Sequence, residues 1–371
     1  MFTLEHIRPM DINLGDIFTT TGRRQAQKED RYTKTTIGIH TSVLASIRLM
    51  TSSRSARIEN RVIDTSPHRI LDAPGMVDDY YLNLLDWSAT NFVVIGLGES
   101  VYGYNVDDKS VTEIHAGENY ISSVKSSGNI LCVGTSDGTI RLIDISVNKE
   151  VHKARNHNAR VSSLSWNGNV ISSGDKAGRL CNFDIRSGRI SVVGGHSQEI
   201  CGLAWSADMK YLASGGNDNV IRIWQLGNNN SQTLSGHKSA VKALAWCPWR
   251  SGILTSGGGA KDMTIKFWDV VENKMERSID TQSQVCTLTY LPKYKEVISS
   301  HGYSENDIRI WKASTMNLIS SFGKHNSRVL HVALSPDGSE LASVSADENL
   351  KFWKIFSTEK ASVRRDSLSF R

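Results

Sequence analysis

The chain has 371 residues, a formal net charge of +5, 39% hydrophobic and 22% charged residues. No apolar run approaches the roughly 18 residues needed to span a bilayer, and Met1-Phe2-Thr3-Leu4-Glu5-His6 does not open a secretory signal, so a soluble intracellular protein without membrane contact is expected. Five scattered cysteines (Cys132, Cys181, Cys201, Cys247, Cys286), an odd number without a C-x-x-C pair, disfavour a disulfide framework or a metal site and predict free, buried thiols.

The positive charge is unevenly placed. Residues 1–70 hold 11 Lys/Arg against 7 Asp/Glu and residues 354–371 hold 5 against 2, which leaves the stretch between them at about −2 of the total +5. A central body without basic excess is poorly suited to tracking a phosphate backbone, so nucleic acid is not expected as a partner.

Residues 1–66 show no sustained period of 2 or 3.6 and are rich in Thr, Ser and Arg, which predicts a mostly disordered tail. Within it, Asp30-Arg31-Tyr32 is a compact docking candidate: the ring fills a pocket while the guanidinium forks onto a carboxylate. Ser66-Pro67, at the end of the tail, reads either as a proline-directed phosphorylation site or as a turn before the first strand.

From Leu82 onward one pattern recurs: an apolar residue, another three positions on, and, in every copy but the second (which has Ser126 there), an aromatic or large apolar residue five positions on. It begins at Leu82, Ile121, Val161, Ile200, Val241, Val285 and Val329, at intervals of 39, 40, 39, 41, 44 and 44 residues. Seven copies at this spacing predict an all-β chain, a seven-bladed propeller of WD repeats over residues 67–356, with a short tail at 357–371. Turn sequences such as Ser136-Asp137-Gly138 and Ser335-Pro336-Asp337-Gly338 separate the strands. The third strand of each repeat carries an anchor: Tyr102 or Tyr104, then Ile143, Phe183, Trp224, Trp268, Trp311 and Trp353.

His196, Asp218 and Trp224 share one repeat, His237, Asp262 and Trp268 the next, and His325, Asp347 and Trp353 the last. With Ser214, Ser256 or Ser343 between them, each set can form a Trp–Ser–His–Asp hydrogen-bond chain. Three occurrences fit a structural device, since a catalytic triad occurs once. Gly257-Gly258-Gly259-Ala260-Lys261-Asp262 has neither the spacing of a phosphate loop nor a following helix. With no zinc-ligand spacing and no unique polar cluster, the reading is a non-enzymatic binding platform without cofactor or metal.

Two places on such a ring invite a ligand. The residues just before each repeat pattern (Tyr81, Tyr120, Arg160, Glu199, Ala240, Gln284, Arg328) face one mouth and differ widely in charge and shape. Solvated variation would look the same; the alternative is a mouth that reads an extended peptide, with Asp79, Tyr80, Asn217, Gln284 and Arg328 offering an anion, an aromatic wall, two amides and a cation. The second place is the seam, where residues ahead of the first blade complete the last one and bring Asp72 near Glu348. Two carboxylates there are either ordinary solvated acids or a receptor for a peptide with an arginine and, a few residues on, a leucine.

Arg69-Ile70-Leu71-Asp72-Ala73-Pro74 and Asp79-Tyr80-Tyr81-Leu82-Asn83-Leu84-Leu85-Asp86-Trp87-Ser88 resemble the start of the propeller in Fizzy-family proteins. Further matches include Gly195-His196-Ser197-Gln198-Glu199-Ile200-Cys201-Gly202-Leu203 and Val241-Lys242-Ala243-Leu244-Ala245-Trp246-Cys247-Pro248-Trp249, and the likeness covers residues 69 to about 355, leaning toward the mitotic branch. The resemblance implies a co-activator that brings substrates to the anaphase-promoting complex, a ubiquitin ligase, acting in nucleus and cytoplasm. It implies a receptor for the Lys-Glu-Asn degron at the mouth, with Asp79 and Tyr80 toward the lysine, Arg328 on the glutamate, and Asn217 and Gln284 for the amides. It implies a destruction-box receptor at the seam, with Asp72 and Glu348 taking the arginine. Ligase docking would fall to Asp30-Arg31-Tyr32 and Phe370-Arg371, and mitotic-checkpoint proteins would bind near Ile47-Arg48-Leu49.

The chain departs from the family pattern at several points. Thr33-Lys34-Thr35 follow Tyr32 where Ile-Pro and a later Arg are usual, Phe370 replaces isoleucine, Ala260 stands for threonine and Gly75 for an acid. The alternative is therefore a WD-repeat scaffold without ligase-linked activity.

Overall fold

The computed structural model describes residues 63–225 and 231–355, so Asp30-Arg31-Tyr32, Ile47-Arg48-Leu49 and Phe370-Arg371 lie outside the described residues. Within them are seven four-stranded antiparallel sheets, six built from four strands consecutive in sequence and the seventh from the last three strands and the first. Their innermost strands are Leu85–Trp87, Ile121–Ser127, Val161–Asn167, Ile200–Trp205, Val241–Trp246, Val285–Leu291 and Val329–Leu334. These pack in cyclic order, the first against both the second and the seventh, which closes a seven-bladed ring.

The repeat pattern has a structural cause. Residues three apart on a regular strand point to opposite faces, because side chains alternate. Here Val161 lies opposite Asp175 and Leu164 opposite Ser173, two partner residues for three on the inner strand, so one residue bulges out of register. The extra residue returns Leu164 to the face of Val161. The same shift follows Ile121, Ile200, Val241, Val285 and Val329. All six leading residues are fully buried between blades.

In blades two to five, close approach of the next blade is met by glycine at one point of the second strand (Gly134, Gly174, Gly215, Gly257). A side chain on Gly174 would meet Ile200 Cβ of the next blade at 2.7 Å, and one on Gly257 would meet Val285 Cβ at 2.8 Å. The anchors of the third strands are buried as expected, and in the first blade Tyr104 fills the role, with Tyr102 only partly buried.

The seventh sheet is composite. Arg69–Asp72 pairs antiparallel with Asn349–Lys354, placing Arg69 opposite Phe352 and Asp72 opposite Asn349. Phe352, fully buried, meets the rings of Trp87 and Tyr104 of blade one at 5.8 and 5.5 Å between centroids. Arg69 covers both the Tyr104 and Phe352 rings. The seam is thus a hydrogen-bonded ladder backed by aromatic packing across two blades.

All three hydrogen-bond chains form. Trp224 Nε1 donates to Ser214 Oγ at 2.8 Å, which lies 2.8 Å from His196 Nε2, while His196 Nδ1 is 2.9 Å from Asp218. Trp268–Ser256–His237–Asp262 and Trp353–Ser343–His325–Asp347 repeat it. Because an ionised carboxylate only accepts, histidine Nδ1 carries the proton and Nε2 accepts from serine. A fourth chain, Ser173–His157–Asp175, was not foreseen, since Phe183 occupies the tryptophan position in that blade. In blade six Trp311 Nε1 donates to Ser299 Oγ, which lies 2.7 Å from His301 Nε2, a shortened version.

Burial disfavours the imidazolium more strongly than the aspartates favour it, so His196 and His237 sit below the usual histidine range and His325 is pushed down to about 4. The five cysteines are buried and unpaired by disulfides. No grouping of three or more His, Cys, Asp or Glu that could hold a metal occurs among the described residues.

Candidate functional site

Residues 73–83, between the closing strand and blade one, carry the chain from the seam to the axis of the ring. Two contacts anchor this lead-in. Asn83 Nδ2 donates to the carbonyls of Ser162 and Cys201 at 2.7 and 2.9 Å, bridging blades three and four. The Tyr80 hydroxyl donates to the Val285 carbonyl at 3.1 Å. Tyr80 is only 6% exposed and packs with Cys201, Ala240 and Cys286, so its ring plugs the ring axis. Tyr80, expected as an aromatic wall, is therefore buried, and its half-buried neighbour Tyr81 is set edge-on to it at 5.6 Å.

Below the plug is a cavity of about 300 Å3 lined by Asn83, Lys242, Cys286, Thr287 and His331, among others. Lys242 Nζ donates to the Leu330 carbonyl at 3.0 Å and lies 5.6 Å from the Tyr80 ring. Burial lowers its pKa to about 8.

Above the plug, polar groups from several blades converge on one mouth. Tyr81 Oη donates to Asn217 Oδ1 at 3.1 Å, and Asn217 Nδ2 donates to Gln198 Oε1 at 2.8 Å. Asp79 receives the Tyr81 amide at 2.8 Å and Arg160 Nη1 at 2.7 Å. Arg160 also grips Glu199 through Nε and Nη2 at 2.8 and 2.9 Å. Burial alone would weaken the Arg160 charge, but the Glu199 hydrogen bonds outweigh it and hold the guanidinium protonated. Gln284 is 4% exposed, and its Oε1 has no hydrogen-bond partner. Arg328 lies across the Tyr303 ring, with Cζ 5.3 Å from its centroid, and donates to Asp78.

The structure therefore brings Asp79, Asn217 and Arg328 to one mouth, with Gln284 and Tyr80 buried beneath it. Tyr81, Arg160 and Glu199 are mouth positions whose partners the sequence does not specify, and Asp78 carries no repeat signal. Opposite charges at equivalent positions of adjacent blades, Arg160 and Glu199, were the available signal.

At the seam, Asp72 is exposed at the end of the closing strand, opposite Asn349 and so one residue from Glu348. Glu348 occupies the turn before that residue with φ of 61°, a conformation held by Gly138 and Gly178 at the corresponding turns. Its carboxylate receives the Gly75 amide at 3.0 Å and its carbonyl the Ala73 amide at 2.8 Å. The two acids are thus neighbours on one exposed edge, and both keep carboxylate oxygens available for a cationic side chain.

Comparison with known proteins bears on this geometry. The family model for the CDC20/Fizzy WD40 domain matches residues 71–353. The chain is 42% identical over 319 residues to the anaphase-promoting complex subunit cdc20 of Dictyostelium discoideum, covering 83% of this chain and 64% of that protein. It is 43% identical over 305 residues to the WD repeat-containing protein slp1 of Schizosaccharomyces pombe, covering 80% and 62%. Protein FIZZY-RELATED 1 of Arabidopsis thaliana is 40% identical over 315 residues, covering 83% and 66%, so the two branches are about equally similar. Among solved structures, a chain of the crystal structure of the mitotic checkpoint complex superposes with a TM-score of 0.77 at 41% identity, covering 82% of this chain and all of that one. The chain spans under two thirds of the length of the first two relatives.

Proposed function

The chain belongs to the CDC20/Fizzy family of WD40 propellers, and from that premise we propose that it is a substrate-recognition co-activator of the anaphase-promoting complex. It binds Lys-Glu-Asn peptides at the mouth and destruction-box peptides at the seam, acts in nucleus and cytoplasm, and promotes ubiquitin-dependent proteolysis in cell-cycle control without chemistry of its own. The observation that carries the reading is the assembly, at one mouth, of an anion (Asp79), an aromatic (Tyr81), an amide (Asn217) and a cation (Arg328), with a second, buried amide (Gln284) beneath them, drawn from the lead-in and three blades. Such a set matches a short peptide carrying a lysine, an acid and an amide in succession.

At the seam, Asp72 and Glu348 suit a guanidinium. A few charge-assisted hydrogen bonds give modest affinity at each site, and two degrons on one substrate, or tethering to the ligase, raise the effective concentration. In this reading Asp30-Arg31-Tyr32 and Phe370-Arg371 dock on the ligase, and checkpoint proteins are further partners.

The test is a pull-down with the full chain. Recovery of the ligase, lost on deleting Phe370-Arg371, supports the co-activator. Absence of ligase from the wild-type pull-down favours a scaffold of the same fold.

A further inference from the structure

The guanidinium of Arg328 already holds a carboxylate. Its Nε donates to Asp78 Oδ1 at 2.8 Å, its Nη2 donates to the Asp78 carbonyl at 3.0 Å, and Nη2 lies 2.6 Å from Oδ1. The cation is the fixed partner: it rests on the Tyr303 ring and its side chain is 15% exposed, whereas the Asp78 side chain is 45% exposed. Asp79, the next residue, is bound to a different arginine, Arg160. Two consecutive acids are thus sorted onto two guanidiniums on opposite sides of the lead-in.

We propose that Asp78 is an internal competitor for the acidic side chain of a bound peptide and so sets the affinity of the mouth. The inference rests on the Lys-Glu-Asn reading. An arginine can bind a carboxylate through two parallel hydrogen bonds at its Nε/Nη2 edge or at its Nη1/Nη2 end. With Asp78 engaging both Nε and Nη2, an incoming glutamate must displace it or share Nη2 with it at the end-on face. Binding then exchanges one ion pair for another, and only the difference contributes to affinity. A peptide without the acid never competes and is indifferent to Asp78.

Fluorescence anisotropy of a labelled Lys-Glu-Asn peptide, and of the same peptide with glutamine in place of glutamate, tests this on the full chain, Asp78→Asn, Arg328→Gln and the double variant. The expected result is about two- to fivefold tighter binding of the parent peptide by Asp78→Asn, the range for an ion pair partly open to water. The glutamine peptide should show no gain, and neither should the double variant over Arg328→Gln. If the wild type prefers the glutamate peptide but Asp78→Asn binds it equally or more weakly, the proposal is overturned, and weaker binding identifies Asp78 as a positioning residue for the fork. If neither the wild type nor Asp78→Asn binds the parent peptide, the mouth reading itself fails and takes this inference with it.

Discussion

The carboxylate of Glu348 accepts the backbone amide of Gly75 across 273 positions of sequence, at 3.0 Å. The contact ties the last blade to the segment that enters the first, next to the ladder between Arg69–Asp72 and Asn349–Lys354. A residue proposed to receive a ligand therefore also serves the closure of the ring. The two roles separate experimentally, because the closure is over-determined and the ligand site is not.

Glu348→Gly should leave the thermal midpoint nearly unchanged. Glycine adopts the left-handed turn without strain, which offsets the lost bond to Gly75 to within about 1 kcal/mol. Affinity for an Arg-x-x-Leu peptide should nonetheless drop about tenfold, the scale of one charge-assisted hydrogen bond. A fall of many degrees in the midpoint would mark Glu348 as a structural staple.

Arg328→Glu places a second acid beside Asp78 and should abolish measurable Lys-Glu-Asn peptide binding, a loss of more than about tenfold. Far-ultraviolet dichroism and the unfolding midpoint should stay close to wild type, since the residue lies on the rim. Unchanged peptide affinity would remove the mouth assignment.

Phe352→Ala removes a fully buried ring that packs against Trp87 and Tyr104 of the neighbouring blade. Denaturant unfolding should show a loss of about 3–5 kcal/mol. A loss below about 1 kcal/mol would mean that the seam contributes little to holding the ring shut.

Ser256 Oγ links Trp268 Nε1 and His237 Nε2, each at 2.7 Å, and is fully buried. Ser256→Ala strands both nitrogens, and each buried unsatisfied group costs about 1–3 kcal/mol. Combining it with Trp268→Phe should cost less than the sum of the single changes, because one stranded donor is removed. Strict additivity in that cycle would contradict a shared chain.

Stability should decline on mild acidification. Burial pushes His325 down to about 4 and His301 to about 3, while both titrate near 6.5 when unfolded. Between those values the unfolded chain takes up protons that the folded chain refuses, so this contribution is complete above about pH 6.5 and is lost as pH falls toward 4. Asp218 and Asp347 are also held below the usual carboxylate range, despite burial, by their hydrogen bonds, and they extend the loss below about pH 4. Urea midpoints at pH 7.5, 6 and 5 should fall in that order, and a flat series would contradict neutral buried histidines.

Much of this was legible in the primary structure. The interval near 40 residues, the turn chemistry and the anchors specified seven blades. The recurrence of His, Ser, Asp and Trp in three repeats exposed three of the hydrogen-bond chains. His157 escaped because its blade carries Phe183 at the tryptophan position, which removes one donor and keeps the rest. Asp72 and Glu348 could be paired in advance, because ring closure by the residues ahead of blade one dictates their proximity.

Local pattern determined which residues form strands and which faces are apolar, because alternation, turn propensity and glycine spacing act within a few residues. It could not decide between Tyr80 and Tyr81. Both rings are equivalent in the chain, and only the packing of seven blades about an axis gives one of them a buried carbonyl to bond and leaves the other at the rim. It could not assign Asp78 to Arg328 and Asp79 to Arg160 either. Charge pairing across 250 and 81 positions depends on where the blades place their edges, and that placement exists only once the ring has closed.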